Sequence, residues 1–173
     1  MLDAAVDVAR EDGIAALSMR AVARRLGVPP MTLYGYVANK EALDVLVIDR
    51  ILSEVRIPTA DAGPWDVRLR LLLIDARRVL VQRPRLGDGH PAVGGGAIEL
   101  LHRGAFGHEA SRLVDAVVDL LRQGGFTDEH VDVCFGALFI YVTGYAEQRT
   151  TSDFFDIGLA ALIEGLKPLA GPR

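Results

Sequence analysis

Positive charge and hydroxyl groups crowd into one short stretch of an otherwise acidic chain. From Gly13 to Lys40 there is no Asp or Glu, while Arg20, Arg24, Arg25 and Lys40 are cationic. Ser18, Thr32, Tyr34 and Tyr36 place hydroxyls in the same stretch. The 173 residues together carry a net charge of −4, which argues against a protein that coats nucleic acid without selection. A basic segment on an acidic body instead suits a single phosphate-facing surface. Bond-breaking chemistry finds little support elsewhere. His108-Glu109 lacks the second histidine of a zinc-binding helix motif. Gly87-Asp88-Gly89-His90-Pro91-Ala92 imitates a dinucleotide loop, but no strand pattern precedes it and Pro91 interrupts it. No serine elbow or phosphate-binding Walker loop is present. The single cysteine, Cys134, excludes an internal disulfide and is compatible with a reducing cytosol. No catalytic residue, metal or cofactor is expected, and the chain reads as a non-enzyme.

The elements that must position these groups are helical, and convincing strand alternation is found nowhere. Leu2, Ala5, Val6 and Ala9 mark a first amphipathic helix, ended by Gly13. Ser18 suits the N-cap of a second, whose apolar face is Met19, Val22, Ala23 and Leu26, before Gly27 stops it. Pro29 and Pro30 fit only the opening turn of a third helix, expected over 30–36, with Leu33 and Val37 as inward anchors four residues apart. Met31, Thr32, Gly35 and Tyr36 then point outward. Asn39 caps a fourth helix with the stripe Leu43, Leu46, Val47 and Ile51. Helix, glycine turn, short helix is the arrangement in which the first helix braces on the DNA backbone and the second enters a major groove about 12 Å wide.

Residues 56–64, with Pro58, Gly63 and Pro64, read as a joint. A long helix is expected at 65–82 with Val67, Leu71, Ile74 and Val81 on its apolar side, broken by Pro84. Glycine-rich 84–96 reads as an irregular loop. Further helices are expected at about 97–105, 109–123, 128–148 and 153–167, with Gly124 and Gly125 closing one and Thr127 or Asp128 capping the next. The expected organisation is therefore all-α: a DNA-binding head at 1–45, a connecting helix and linker at 46–64, and a helical body at 65–173. No secretion signal opens the chain, and its longest apolar run, Ala137 to Val142, is too short to cross a membrane.

The head resembles the tetracycline-repressor (TetR) family in Leu17-Ser18-Met19-Arg20, Leu26-Gly27-Val28, Thr32-Leu33-Tyr34-Gly35-Tyr36-Val37 and Asn39-Lys40-Glu41-Ala42-Leu43, aligned without gaps. Phe155-Asp156-Ile157-Gly158-Leu159 through Gly165-Leu166 is similar to the last helix of the family's C-terminal domains. The resemblance implies DNA contacts at Ser18, Arg20, Pro30, Met31, Thr32, Tyr34, Gly35, Tyr36 and Lys40. Ser18 caps its helix close to a phosphate, and Arg20 reaches a base edge, most naturally guanine. Thr32 touches a phosphate or a thymine methyl; Tyr34 and Tyr36 bond the backbone; Lys40 pairs with a phosphate, helped by the helix N-terminus. Gly35 gives up direct reading, and Pro30 and Met31 suggest methyl contacts with thymine. Arg24 and Arg25 read as solvated helix-face charges, and the Tyr34 ring is the more core-like of the two tyrosines.

For the second half the resemblance implies a regulatory domain. Helices at 128–148 and 153–167 would pair with a second copy as a four-helix bundle, since Val131, Val133, Phe135, Leu138, Phe139 and Val142 exceed what one core needs. A homodimer places two recognition helices about one DNA turn, roughly 34 Å, apart on a palindromic operator. Arg77, His102, His108 and Tyr141 are the polar candidates for a small-molecule effector site. The whole implies a cytoplasmic, ligand-responsive repressor acting on double-stranded DNA. The alternative is a helical small-molecule-binding protein that keeps the fold without specific DNA binding.

Overall fold

The computed structural model describes residues 1–81, 107–147 and 152–171. The expected loop at 84–96, the expected helix at 97–105 and His102 lie outside the described residues. Among the described residues there are eight α-helices and no strand. They fall into two compact units: Met1–Glu54 with the described part of Val79–Ala110, and Val55–Arg78 with the described part of Ser111–Arg173.

Local chemistry sets the boundaries in the first unit. Helix α1 (Leu2–Asp12) ends at Gly13, whose φ of 86° is open to glycine and costly for other residues. Helix α2 (Met19–Leu26) starts where Ser18 Oγ accepts the Ala21 N–H at 3.1 Å, and stops at Gly27 in the left-handed conformation, φ 67°. Helix α3 (Pro30–Leu33) is shorter than the expected 30–36. Its last residues continue as hydrogen-bonded turns, with the Tyr36 and Val37 N–H groups both donating to Leu33 O. Helix α4 (Lys40–Leu52) is capped by Asn39, whose Oδ1 accepts the Ala42 N–H at 2.8 Å.

α1 packs on α4 and α2, and α2 packs on α3. The core they share differs from the expected stripes at the margins. Leu26 and Leu46 are exposed, while Val8, Ala21, Asp44 and Ile48 are buried. In α4 the buried face is centred between Leu43–Val47–Ile51 and Asp44–Ile48, which turns Leu46 outward. Arg10 bridges to Glu54 at 2.7 Å, tying α1 to the end of α4. One cap is supplied from far away in sequence. Asp49 of α4 accepts the N–H groups of Glu109 and Ala110, at 2.7 and 3.2 Å, in the first turn of α6 (His108–Gln123). Gly107 makes this possible, because a Cβ there would collide with the Asp49 carboxylate.

In the second unit α5 (Trp65–Val81) presents Trp65, Leu69, Leu72 and Leu73 inward. Val67 and Leu71, expected inside, are exposed, because the buried face is registered on Trp65, which meets Phe126 edge-on at 5.4 Å. Gly124 leaves room for that indole, and the Thr127 carbonyl accepts the Val131 N–H at the start of α7 (Asp128–Glu147). α7 packs against α8 (Ser152–Leu166). Val131, Leu138 and Val142 of α7 are buried, whereas Val133 and Ile140 are exposed, as are Phe154 and Ile157 of α8. No helix of the described residues is long and apolar enough to cross a membrane.

Candidate nucleic-acid interface

The recognition turn is anchored from below and bare above. Leu33 and Val37 are 2% and 3% exposed, while Met31 and Tyr36 are 76% and 73% exposed. Such contrast over seven residues means the backbone is fixed by the core while the outward side chains remain free to meet a partner. Pro30, Thr32 and Gly35 are exposed beside them. Tyr34, expected to be the more core-like of the two tyrosines, is 49% exposed, one residue past the end of helix α3. A Cβ on Gly35 would meet only Thr32 O, at 3.6 Å, so the glycine leaves bare backbone rather than relieving a clash.

α2 supplies the supporting groups. Ser18 is half-buried and its oxygen is engaged in the cap, which leaves the hydroxyl proton as its outward donor. Arg20 is exposed and makes no ion pair among the described residues. Arg25 faces the other way: its guanidinium takes both carboxylate oxygens of Glu11 at 2.5 and 2.7 Å, with Asp7 at 3.6 Å. Its hydrogen bond holds the Glu11 carboxyl below the usual carboxylate range. Arg25 therefore fastens α2 to α1, a role more specific than the solvated charge expected of it.

Lys40 is not a free cation. Its Nζ donates to Asp44 Oδ1 and Oδ2 at 2.8 and 2.7 Å, one helical turn along α4. Asp44 is 8% exposed. Burial pushes its carboxyl above the ordinary aspartate range, and the bond from Lys40 only partly opposes this. Sequence reasoning passed over Asp44. Its signal was an acid four residues after the lysine, set among the apolar positions of the stripe.

Of the effector candidates, Arg77 and Tyr141 come together on Phe155. The Arg77 guanidinium lies 4.6 Å from the Phe155 ring centroid, and the Tyr141 hydroxyl donates to Phe155 O at 3.0 Å. Tyr145 adds a third ring, 4.7 Å from Tyr141 and 5.7 Å from Phe155. Burial, reinforced by Tyr145, pushes the Tyr141 hydroxyl up to about 12. His108 belongs to the first unit, exposed at the start of α6 with Nδ1 3.3 Å from Glu109. Among the described residues no group of His, Cys, Asp and Glu is arranged to hold a metal. Cys134 is buried, which pushes its thiol up and away from reactivity.

Residues 1–43 match the family described as bacterial regulatory proteins, tetR family. An HTH-type transcriptional regulator of Saccharopolyspora erythraea is 32% identical over 101 residues, which cover 57% of this chain and 43% of that protein. The HTH-type transcriptional repressor DrrR1 of Streptomyces coeruleorubidus is 28% identical over 154 residues, 86% of this chain and 52% of its own. The chain thus spans about half the length of these curated relatives. The crystal structure of Mycobacterium smegmatis BioQ superposes with a TM-score of 0.80 at 27% identity, covering 98% of this chain and 97% of that one. A structure of BioQ with its double-stranded DNA operator superposes with a TM-score of 0.78, also at 27% identity, over 96% and 95% of the two chains.

Proposed function

We propose that the chain is a transcriptional regulator of the tetR type, a repressor that binds double-stranded operator DNA as a homodimer and releases it in response to a small molecule. The match of residues 1–43 to the family of bacterial regulatory proteins and the likeness to DrrR1 and BioQ support this reading. The observation that carries the proposal is the tip itself: Met31, Thr32 and Tyr36 stand free above the buried anchors Leu33 and Val37. BioQ, which shares the fold, is seen with its DNA operator. On this reading residues 1–45 form the DNA head, 46–64 the connection and 65–173 the regulatory body, and the protein works on DNA in the cytoplasm without catalysing a reaction.

Pro30, Met31 and Thr32 enter the major groove and Arg20 reaches a base edge, whereas Ser18, Tyr34, Tyr36 and Lys40 meet phosphates. Gly35 lets the backbone approach closely. The exposed apolar residues Val133, Ile140, Phe154 and Ile157 supply a dimer face on α7 and α8. Arg77 and Tyr141, brought together on Phe155, suit an aromatic effector. An effector that favours one spacing of the two heads changes DNA affinity by its differential binding, typically about 1–3 kcal/mol. Selection from a random duplex pool with the full chain tests the proposal. A palindromic consensus with half-sites about one turn apart is expected, and recovery of no sequence preference would reject operator recognition.

A further inference from the structure

The Lys40–Asp44 pair is poorly placed to stabilise the fold. Lys40 stands in the first turn of α4, where the positive end of the helix disfavours a cation. Its partner lies four residues toward the C-terminus, the less favourable order for an intrahelical pair. Asp44, for its part, buries a carboxylate among Leu43, Val47 and Ile48, at a cost in desolvation. What the pair does achieve is local: it cancels the charge of the only lysine between Leu17 and Leu43, four residues after the exposed Tyr36. Both carboxylate oxygens take the ammonium, at 2.8 and 2.7 Å, leaving its third N–H for another acceptor.

We infer that Asp44 is a positioning residue that restrains DNA affinity: it aims the Lys40 ammonium and neutralises it, so that Lys40 gives a phosphate a directed hydrogen bond but little net charge. The inference rests on the DNA-binding reading. A free cation that neutralises one phosphate steepens the slope of log K against log salt by about 0.9. Lys40 held by Asp44 brings much less than this. Arg20 and Arg24 have no carboxylate partner among the described residues and keep their full electrostatic contribution.

The test is a salt series with the full chain, titrating a fluorescent duplex taken from the random pool. Wild type, Asp44→Asn, Asp44→Ser, Lys40→Met and the double variant Lys40→Met/Asp44→Asn are compared. Both Asp44 variants should steepen the slope by about 0.9 per subunit, about 1.8 for the dimer, and bind roughly 60-fold more tightly near 0.1 M salt. The gain should vanish when Lys40 is also replaced, while Lys40→Met alone should weaken binding, because it removes the directed hydrogen bond and leaves the Asp44 carboxylate without its partner. An unchanged slope in folded Asp44 variants overturns the inference, as does a gain that survives without Lys40. Loss of the helical circular-dichroism signal in both Asp44 variants would make the residue structural and equally overturn it. Wild type binding no duplex at any salt would instead reject the DNA-binding reading, and the inference with it.

Discussion

Asp75 shows how a single side chain joins two stretches of the second unit. It accepts the Arg56 N–H at 2.8 Å and Arg78 Nε at 2.7 Å. Burial alone would raise its carboxyl, but the bonds from Arg78 and Arg56 outweigh that and hold it below the usual range. A depressed carboxylate contributes stability that is present above its unfolded value, near pH 4, and lost as pH falls through its folded value. Asp75→Ala should therefore cost about 1–2 kcal/mol at neutral pH. In urea denaturation at stepped pH, the gap from wild type should close below about pH 4. At this scale the sequence is informative where partners are local. Leu33 and Val37 were legible as anchors because four-residue spacing places both on one side of a helix. The Arg25–Glu11 and Asp75–Arg56 contacts were not, since each depends on how separate segments pack.

Helices declare their ends more clearly than their faces. Ser18, Asn39, Gly13 and Gly27 were all readable, because each acts through a hydrogen bond or a backbone angle within a few residues. Leu26, Leu46, Val67 and Leu71 were misplaced because an apolar residue at the edge of a stripe is assigned inward or outward by its neighbours. The Asp49 cap was beyond local reading, since donor and acceptor are about 60 residues apart in sequence. Replacing Ser18 or Asn39 by Ala should each lower stability by about 1 kcal/mol, read from the urea midpoint at constant slope. Gly107→Ala should destabilise by displacing the Asp49 carboxylate, and Asp49→Ala should largely erase the difference between Gly and Ala at 107. Additive losses in that cycle would mean that Gly107 has a different purpose.

For the whole molecule, the outstanding feature is exposed apolar surface on two helices of the described residues. Val133 and Ile140 lie seven residues apart on α7, and Phe154 and Ile157 lie three apart on α8. Their spacing puts each pair on one side of its helix. On the proposed dimer face, placing a charge by Ile140→Glu or Phe154→Glu should yield monomers in sedimentation where wild type is a dimer, with helical content retained. A double variant that still sediments as a dimer would locate the interface elsewhere. The apolar excess of α7 was evident in its composition, but the sequence pointed to Val131, Leu138 and Val142 alongside Val133. Those three are committed to the monomer core, and Ile140 takes their place on the surface.

DNA recognition through the exposed tip of α3 is most directly tested by titrating the selected duplex with wild type and Tyr36→Ala at a fixed salt concentration, with the oligomeric state of both verified. Removing the proposed contact of Tyr36 with the DNA backbone should weaken binding by about 1 kcal/mol or more, roughly a fivefold or larger rise in Kd, while oligomeric state and fold stay unchanged. Equal affinity of wild type and Tyr36→Ala for that duplex would contradict the assignment of this surface to DNA.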